Sequence, residues 1–336
     1  MIQKRIKWVD IYKGLLIFLV VFGHALQGIS ADRTLVNNQF YDSILYGKWL
    51  IYSFHMPAFF IAAGFFSSKM FNKISKSYFI KRSYRLIIPY FIWSGITAIC
   101  MQLAKGHTNN ELGINNFLYS PIIPFSIFWF LYIYFIIFVI HFSLTIFLKE
   151  KSNLILLILG IILFLINPFL PVFWIIKPLT QFMIFYAIGL YVLTFVESNF
   201  IFFSSKKYTF LEFILFIIAF IFYFVAMKNK NNFTIYYLLF FTSITASALF
   251  INISIIISKI DGMFSNFNAY LGKYSMQIYV MHLLPLAFSR IVILHYLHIS
   301  NLWIVSLVIT AISLLVCLII IKLTTRFHLN KVLFGA

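Results

Sequence analysis

The chain has 336 residues, of which 62% are hydrophobic and 10% charged, and it carries a net charge of +18. With a mean hydropathy of +0.98, it lies far outside the composition of water-soluble domains, which are about half apolar. A soluble enzyme is excluded, and nucleic-acid binding is a poor account of the charge, because the basic residues sit mainly in short loops between apolar stretches.

Ten apolar segments are predicted as membrane-spanning helices, each near the ~20 residues that cross a ~30 Å hydrocarbon core. They cover 9–29, 45–66, 86–104, 125–147, 153–168, 178–196, 210–227, 234–257, 275–296 and 302–322. The expected class is therefore all-α, a polytopic integral membrane protein forming a single domain over 1–336. The first span follows Lys4, Arg5 and Lys7. It lacks a small-residue cleavage site before a polar region, so it reads as a retained helix. Eighteen Lys or Arg fall on the N-terminal side of the membrane, Lys69, Lys73 and Lys76 among them, against six on the other side, Lys48 and Lys105 included. That bias places both termini in the cytoplasm. The two cysteines, Cys100 and Cys317, form no paired motif, and no His/Cys/Glu cluster has metal-ligand spacing. The many aromatic residues are accounted for by lipid-facing packing rather than by sugar stacking.

Span 1 carries polar residues where a bilayer favours Leu and Ile. Lys13 and His24 are eleven residues apart, about 16 Å along a helix, and eleven steps of ~100° return to within ~20° of the start. Asp10 lies on the same side, one turn before Lys13. Three polar groups on one stripe face the bundle interior or a wet cavity. Spacing alone leaves open whether His24 is functional or an inter-helix hydrogen-bonding group, and Asp10 is expected to pair with Lys13 or with a neighbouring span. Lys81, Arg82 and Arg85 open span 3. Arg at i and i+3 would hold an anion at a helix N-terminus, although a basic loop is also what topology predicts there. In span 9, Ser275, Tyr279 and His282 share one side; packing accounts for the first two, and His282 reads as lining or support on the cytoplasmic half. Arg290 is costly at its depth and meets an acceptor glycan or a carboxylate, or else only snorkels outward. His55, just before Pro57, is a further pocket residue.

Several stretches together resemble the acyltransferase-3 family. "DIYKG…VFGHA" (10–25) is similar to its first-helix signature, with Lys13 where many members carry Arg, so the charge is kept and the bidentate fork is lost. "FHMPAFFIAAGFF" (54–66) resembles its second-helix motif, and "RSYRLIIPYFIW" (82–93) carries Arg-x-x-Arg followed by Ile-Pro-Tyr. "LGKYSMQIYVMH" (271–282) resembles the late Gly-x-x-Ser-x-x-Ile-Tyr-x-x-His signature, with weaker echoes in "FWFLYIY" (128–134) and "YAIGLYV" (186–192). The nearest branch is the fucose 4-O-acetylase-like proteins of polysaccharide clusters.

The resemblance implies transfer of an acyl group, usually acetyl, from cytoplasmic acyl-CoA to a sugar hydroxyl of a surface or exported polysaccharide in a bacterial plasma membrane. In that family the first-helix His and basic residue and the Arg-x-x-Arg pair are required for activity. Here those positions are His24, Lys13, Arg82 and Arg85. Acyl-CoA is a donor substrate, and no permanently bound cofactor is expected. His24 would act as general base; nothing in the sequence demands an acyl-His intermediate. The competing reading is a transporter or flippase for a lipid-linked sugar. It is disfavoured because no pair of Gly/Pro-interrupted spans is visible.

Overall fold

The computed structural model describes residues 6–65, 67–68, 70–104, 112–295 and 299–335. Lys4, Arg5, Lys69 and Lys105, which enter the topology argument, lie outside them. Every regular element among the described residues is helical. The α-helices are α1 (Lys7–Ser30), α2 (Tyr41–Tyr52), α3 (His55–Phe65), α4 (Lys76–Leu103), α5 (Ile114–Leu118), α6 (Trp129–Leu148), α7 (Ser152–Ile166) and α8 (Ile176–Ser198). They continue with α9 (Phe200–Phe203), α10 (Lys206–Lys228), α11 (Asn232–Ser258), α12 (Met263–Lys273), α13 (Ser275–Met281), α14 (Leu283–His295), α15 (Leu302–Arg326) and α16 (Asn330–Phe334).

Side-chain caps start several of the long helices where the sequence changes from polar to apolar. Ser75 Oγ accepts from Tyr78 N at 3.1 Å, Asn231 Oδ1 from Thr234 N at 3.1 Å, and Asn301 Oδ1 from Trp303 N and Ile304 N at 3.1 and 3.2 Å. Helix α1 is the axis of the bundle. It packs against α2, α3, α11, α12, α13, α14 and α15, and most of its residues are buried. By contrast α10 packs mainly on α11 and leaves a broad apolar surface outward, as a lipid-facing helix does.

Among the described residues seven helical stretches are long and apolar enough to cross a membrane, or eight when α13 and α14 count as one span bent by 51°. The ten predicted spans differ from this for two physical reasons. The fourth and fifth fall in one stretch, Ser126–Phe169, divided at Lys149, where φ is +48°, so that α6 and α7 pack on each other. The second is two helices of 12 and 11 residues, α2 and α3, separated at Ser53 and Phe54.

Two of the expected spans, the second and the ninth, are thus interrupted. Pro57 has no N–H to give to Ser53 O, and Ser243 Oγ of α11 donates to that carbonyl instead, at 2.9 Å. The α13/α14 bend falls at His282, three residues before Pro285, and Ser313 Oγ of α15 donates to His282 O at 2.9 Å. Each interruption carries a histidine, His55 in one and His282 in the other.

Candidate active site

Two backbone-on-backbone contacts assemble the site. A Cβ built on Gly272 would lie 1.7 Å from Asp10 O, and one on Gly14 would lie 2.0 Å from Asn268 O. Helices α1 and α12 therefore touch main chain to main chain, a contact that only glycine allows. It sets the Asp10–Lys13–His24 stripe of α1 beside Ser275 and Tyr279 of α13 and His282 just after it, about 260 residues later in the chain. Gly64 and Gly189 dock α3 on α8 in the same way, each Cβ falling within 2.3 Å of a carbonyl oxygen of the other helix. The glycine of "YAIGLYV" thus has a packing role.

Two cavities lie along α1. The first, about 200 Å³, is lined by Lys13, Arg82, Tyr134, Ser275 and Tyr279 among apolar neighbours. Lys13 Nζ pairs with Asp10 Oδ1 at 2.7 Å, as the stripe suggested, and Asp10 is buried. Arg82 reaches into the bundle from α4. Its Nη2 donates to Ser67 Oγ at 3.0 Å and to Tyr134 Oη, and its guanidinium lies 5.8 Å and 5.5 Å from the Tyr134 and Phe138 ring centroids. Its Nε is buried without a partner among the described residues.

Behind Arg82 runs a directed hydrogen-bond chain. Asn153 Nδ2 donates to Ser68 O at 2.8 Å, so Asn153 Oδ1 is the acceptor facing His141 Nε2 at 3.0 Å. His141 therefore carries its proton on Nε2 and accepts from Tyr186 Oη at Nδ1, 2.9 Å away. The Tyr186 and Tyr134 rings lie 6.0 Å apart, tilted at 48°, which ties this chain to the wall that holds Arg82.

Lys81 and Arg85 do not join it. Both are exposed and line neither cavity. The expected Arg82–Arg85 clamp is split because a step of i+3 rotates ~60° away from the first side chain, enough to turn Arg85 out of a narrow cavity.

The second cavity, about 570 Å³, is lined by His24, Gln27, Tyr52, Trp129 and Arg290 within a largely apolar wall. His24 Nδ1 lies 3.2 Å from Tyr52 Oη, and the Tyr52 ring stands 4.7 Å from that of His55. His55 Nδ1 donates to Ile51 O at 2.8 Å. The His282 ring is 5.2 Å from the His24 ring. His282 is fully buried, and its Nδ1 donates to Tyr279 O at 2.7 Å and Ile278 O at 3.2 Å. A carbonyl only accepts, so His282 holds its proton at Nδ1 and presents a lone pair at Nε2. That atom has no partner among the described residues. The expectation that His282 serves the Lys13 end is thus corrected: the bend after Met281 brings it to His24. Arg290 is buried rather than snorkelling, and its Nη1 donates to Gly28 O.

The walls of the two cavities touch. The Tyr279 hydroxyl, in the wall of the first, donates to Ile127 O, in the wall of the second. Of the predicted residues, Lys13, Arg82, Ser275 and Tyr279 gather at one cavity and His24 and Arg290 at the other, with His55 and His282 packed behind the second. Sequence reasoning missed Tyr52, Tyr134, Ser67 and the Tyr186–His141–Asn153 chain. Tyr134 and Tyr186 sit inside the two weaker motif echoes, which was the available signal; Tyr52 had none.

No curated protein and no solved structure matches the chain. A family model, described as an acyltransferase domain, matches residues 6–322. Because that match spans nearly the whole chain, including both glycine-locked motifs and both cavities, the protein belongs to the acyltransferase-3 family.

Proposed function

We propose that the protein moves an acyl group, acetyl first among candidates, from cytoplasmic acyl-CoA to a hydroxyl of a cell-surface or exported polysaccharide. On this reading it is a single-domain, multi-pass protein of a bacterial plasma membrane with both termini cytoplasmic. Its partners are acyl-CoA, a glycan and the bilayer, and not nucleic acid. The observation that carries the reading is the arrangement along α1: Lys13 and Arg82 line one cavity, the His24 imidazole lines the next, and the Tyr279 hydroxyl bonds from one wall to the other.

Lys13 and Arg82 would attract the phosphate-bearing donor, with the exposed Lys81 and Arg85 meeting its nucleotide at the surface. The flexible pantetheine arm would then pass Tyr279 to bring the thioester to His24. The acceptor hydroxyl gives its proton to His24 Nε2 as its oxygen bonds to the acyl carbon. The C–S bond breaks, and the thiolate of CoA recovers the proton from the imidazolium. For Nε2 to be the basic atom, Nδ1 must carry the hydrogen and donate to Tyr52 Oη. Tyr52 thereby takes the orienting role that a carboxylate fills in other His-based sites. His282 supports His24 from the opposite side.

Purified protein in liposomes, given acetyl-CoA and an acceptor glycan, should release free CoA in proportion to ester formed. Ester-free glycan and no acceptor-dependent CoA release would refute the reading. Arg82→Lys keeps the charge but cannot bridge Ser67 and Tyr134 as a planar fork does. It is expected to raise the KM for acetyl-CoA roughly 10-fold with a smaller change in kcat, read from initial rates over a donor titration.

A further inference from the structure

The second cavity holds a buried charge that the chemistry above does not use. Arg290 is 6% exposed and forms part of the wall that also carries His24. One of its five N–H groups is committed to Gly28 O. Among the described residues no carboxylate lies within ion-pair distance of it. Asp32 acts on Arg290 through space but forms no ion pair with it, and its Oδ1 is turned to its own loop, where it accepts from Thr34 N at 3.0 Å and Thr34 Oγ1 at 2.7 Å. Among the described residues no Asp or Glu lines the cavity. A buried guanidinium with no ion-pair contact among the described residues is costly, and its planar donor fork matches the paired oxygens of a carboxylate or phosphate.

Position adds to charge. Gly28 is one turn beyond His24 on α1, so Arg290 engages the helix about 6 Å along the axis from the base. A Cβ on Gly28 would sit 3.3 Å from Arg290 Nη1, so the glycine leaves room for the guanidinium to lie against α1. An oxyanion bound here would stand across a sugar ring from a hydroxyl presented to His24, in a cavity whose volume takes a sugar unit.

We infer that Arg290 receives an oxyanion borne by the acceptor, so that the acceptor is an acidic sugar, a uronate or a sugar phosphate, and not a neutral one. The inference rests on the acyl-transfer reading for the identity of the occupant.

Its test is equilibrium binding to the liposome-embedded protein without donor, using methyl glucuronoside, glucose 6-phosphate and neutral methyl glucoside as probes, with CoA release measured in parallel. At least one acid should bind roughly 10- to 100-fold more tightly than the neutral glucoside, the range of a charge-assisted pair. Arg290→Gln should erase that ranking and Arg290→Lys should keep part of it. Preference for the carboxylate alone assigns a uronate, and for the phosphate alone a phosphorylated sugar. The wild-type ranking decides even if a variant fails to fold. Equal affinity for all three probes, failure of both acids to bind, or a ranking that survives Arg290→Gln overturns the inference. CoA release that persists in those cases leaves acyl transfer standing. Acid-selective binding without any acceptor-dependent CoA release upholds the anion site and overturns acyl transfer.

Discussion

His24→Ala is expected to lower acyl transfer by roughly 10²- to 10⁴-fold, the usual contribution of a positioned general base, while the protein still inserts and folds. The two halves of this expectation have separate grounds. His24 is only partly buried, at the cavity wall, so its truncation enlarges an existing space instead of opening a void in packed core. Among the described residues its side chain makes one hydrogen bond, to Tyr52, and losing that bond leaves a tyrosine hydroxyl facing the cavity. The effect should therefore fall on kcat, with the KM for acetyl-CoA little changed, because the donor's charged groups are assigned to the other cavity. Tyr52→Phe removes only the oxygen that would fix the His24 tautomer. It should cost roughly 10-fold in kcat, well short of the His24→Ala loss, since a base in the wrong tautomer still samples the right one. Continuous thiol detection of released CoA measures both. Retention of more than a tenth of wild-type turnover by His24→Ala would remove this imidazole from the proton transfer.

The stripe on α1 was legible because helical periodicity is a local property: eleven residues place Lys13 and His24 on one side whatever surrounds them. The order of the motifs was legible for the same reason. What escaped was whatever depends on where a helix stops. Hydropathy reads 45–66 and 275–296 as continuous spans because interruption does not make them polar. The carbonyl freed by Pro57 is satisfied by Ser243, and His282 O at the second bend takes Ser313 as a donor besides Leu286 N, both serines coming from helices distant in sequence. Once those breaks exist, Tyr52 swings to His24 across 28 residues and His282 comes to the same imidazole. No spacing rule contains either encounter. The Arg82–Arg85 pair failed differently. Three residues along a helix make neighbours on a broad face, but a narrow cavity admits only one of them, and the phenols of Tyr78 and Tyr134 lie around Arg82.

Gly272→Ala should be the most damaging single-methyl change in the molecule. The added Cβ would meet Asp10 O at 1.7 Å and Gly14 N at 2.8 Å. Both are backbone atoms of the central helix, so no side chain can rotate away and α12 must withdraw from α1 as a body. Overpacking in a core costs about 1–3 kcal/mol when neighbours adjust, and a rigid backbone contact belongs at or above the top of that range. Gly14→Ala, at 2.0 Å from Asn268 O, attacks the same seam from the other side, so the two effects should combine with less than additive cost. Gly95→Ala is the control. Its Cβ would find only the Phe117 ring, at 3.4 Å, and it replaces a mid-helix glycine in α4, so it should be neutral or stabilise by up to about 1 kcal/mol. Thermal unfolding in detergent distinguishes the three, with Gly272→Ala melting well below wild type and Gly95→Ala at or above it. Withdrawal of α12 also carries α13 away from Lys13 and His24. Any Gly272→Ala protein that survives should thus lose acyl transfer beyond its loss of folded fraction, whereas full activity per folded molecule would mean that the α1–α12 seam does not set the spacing of the two cavities.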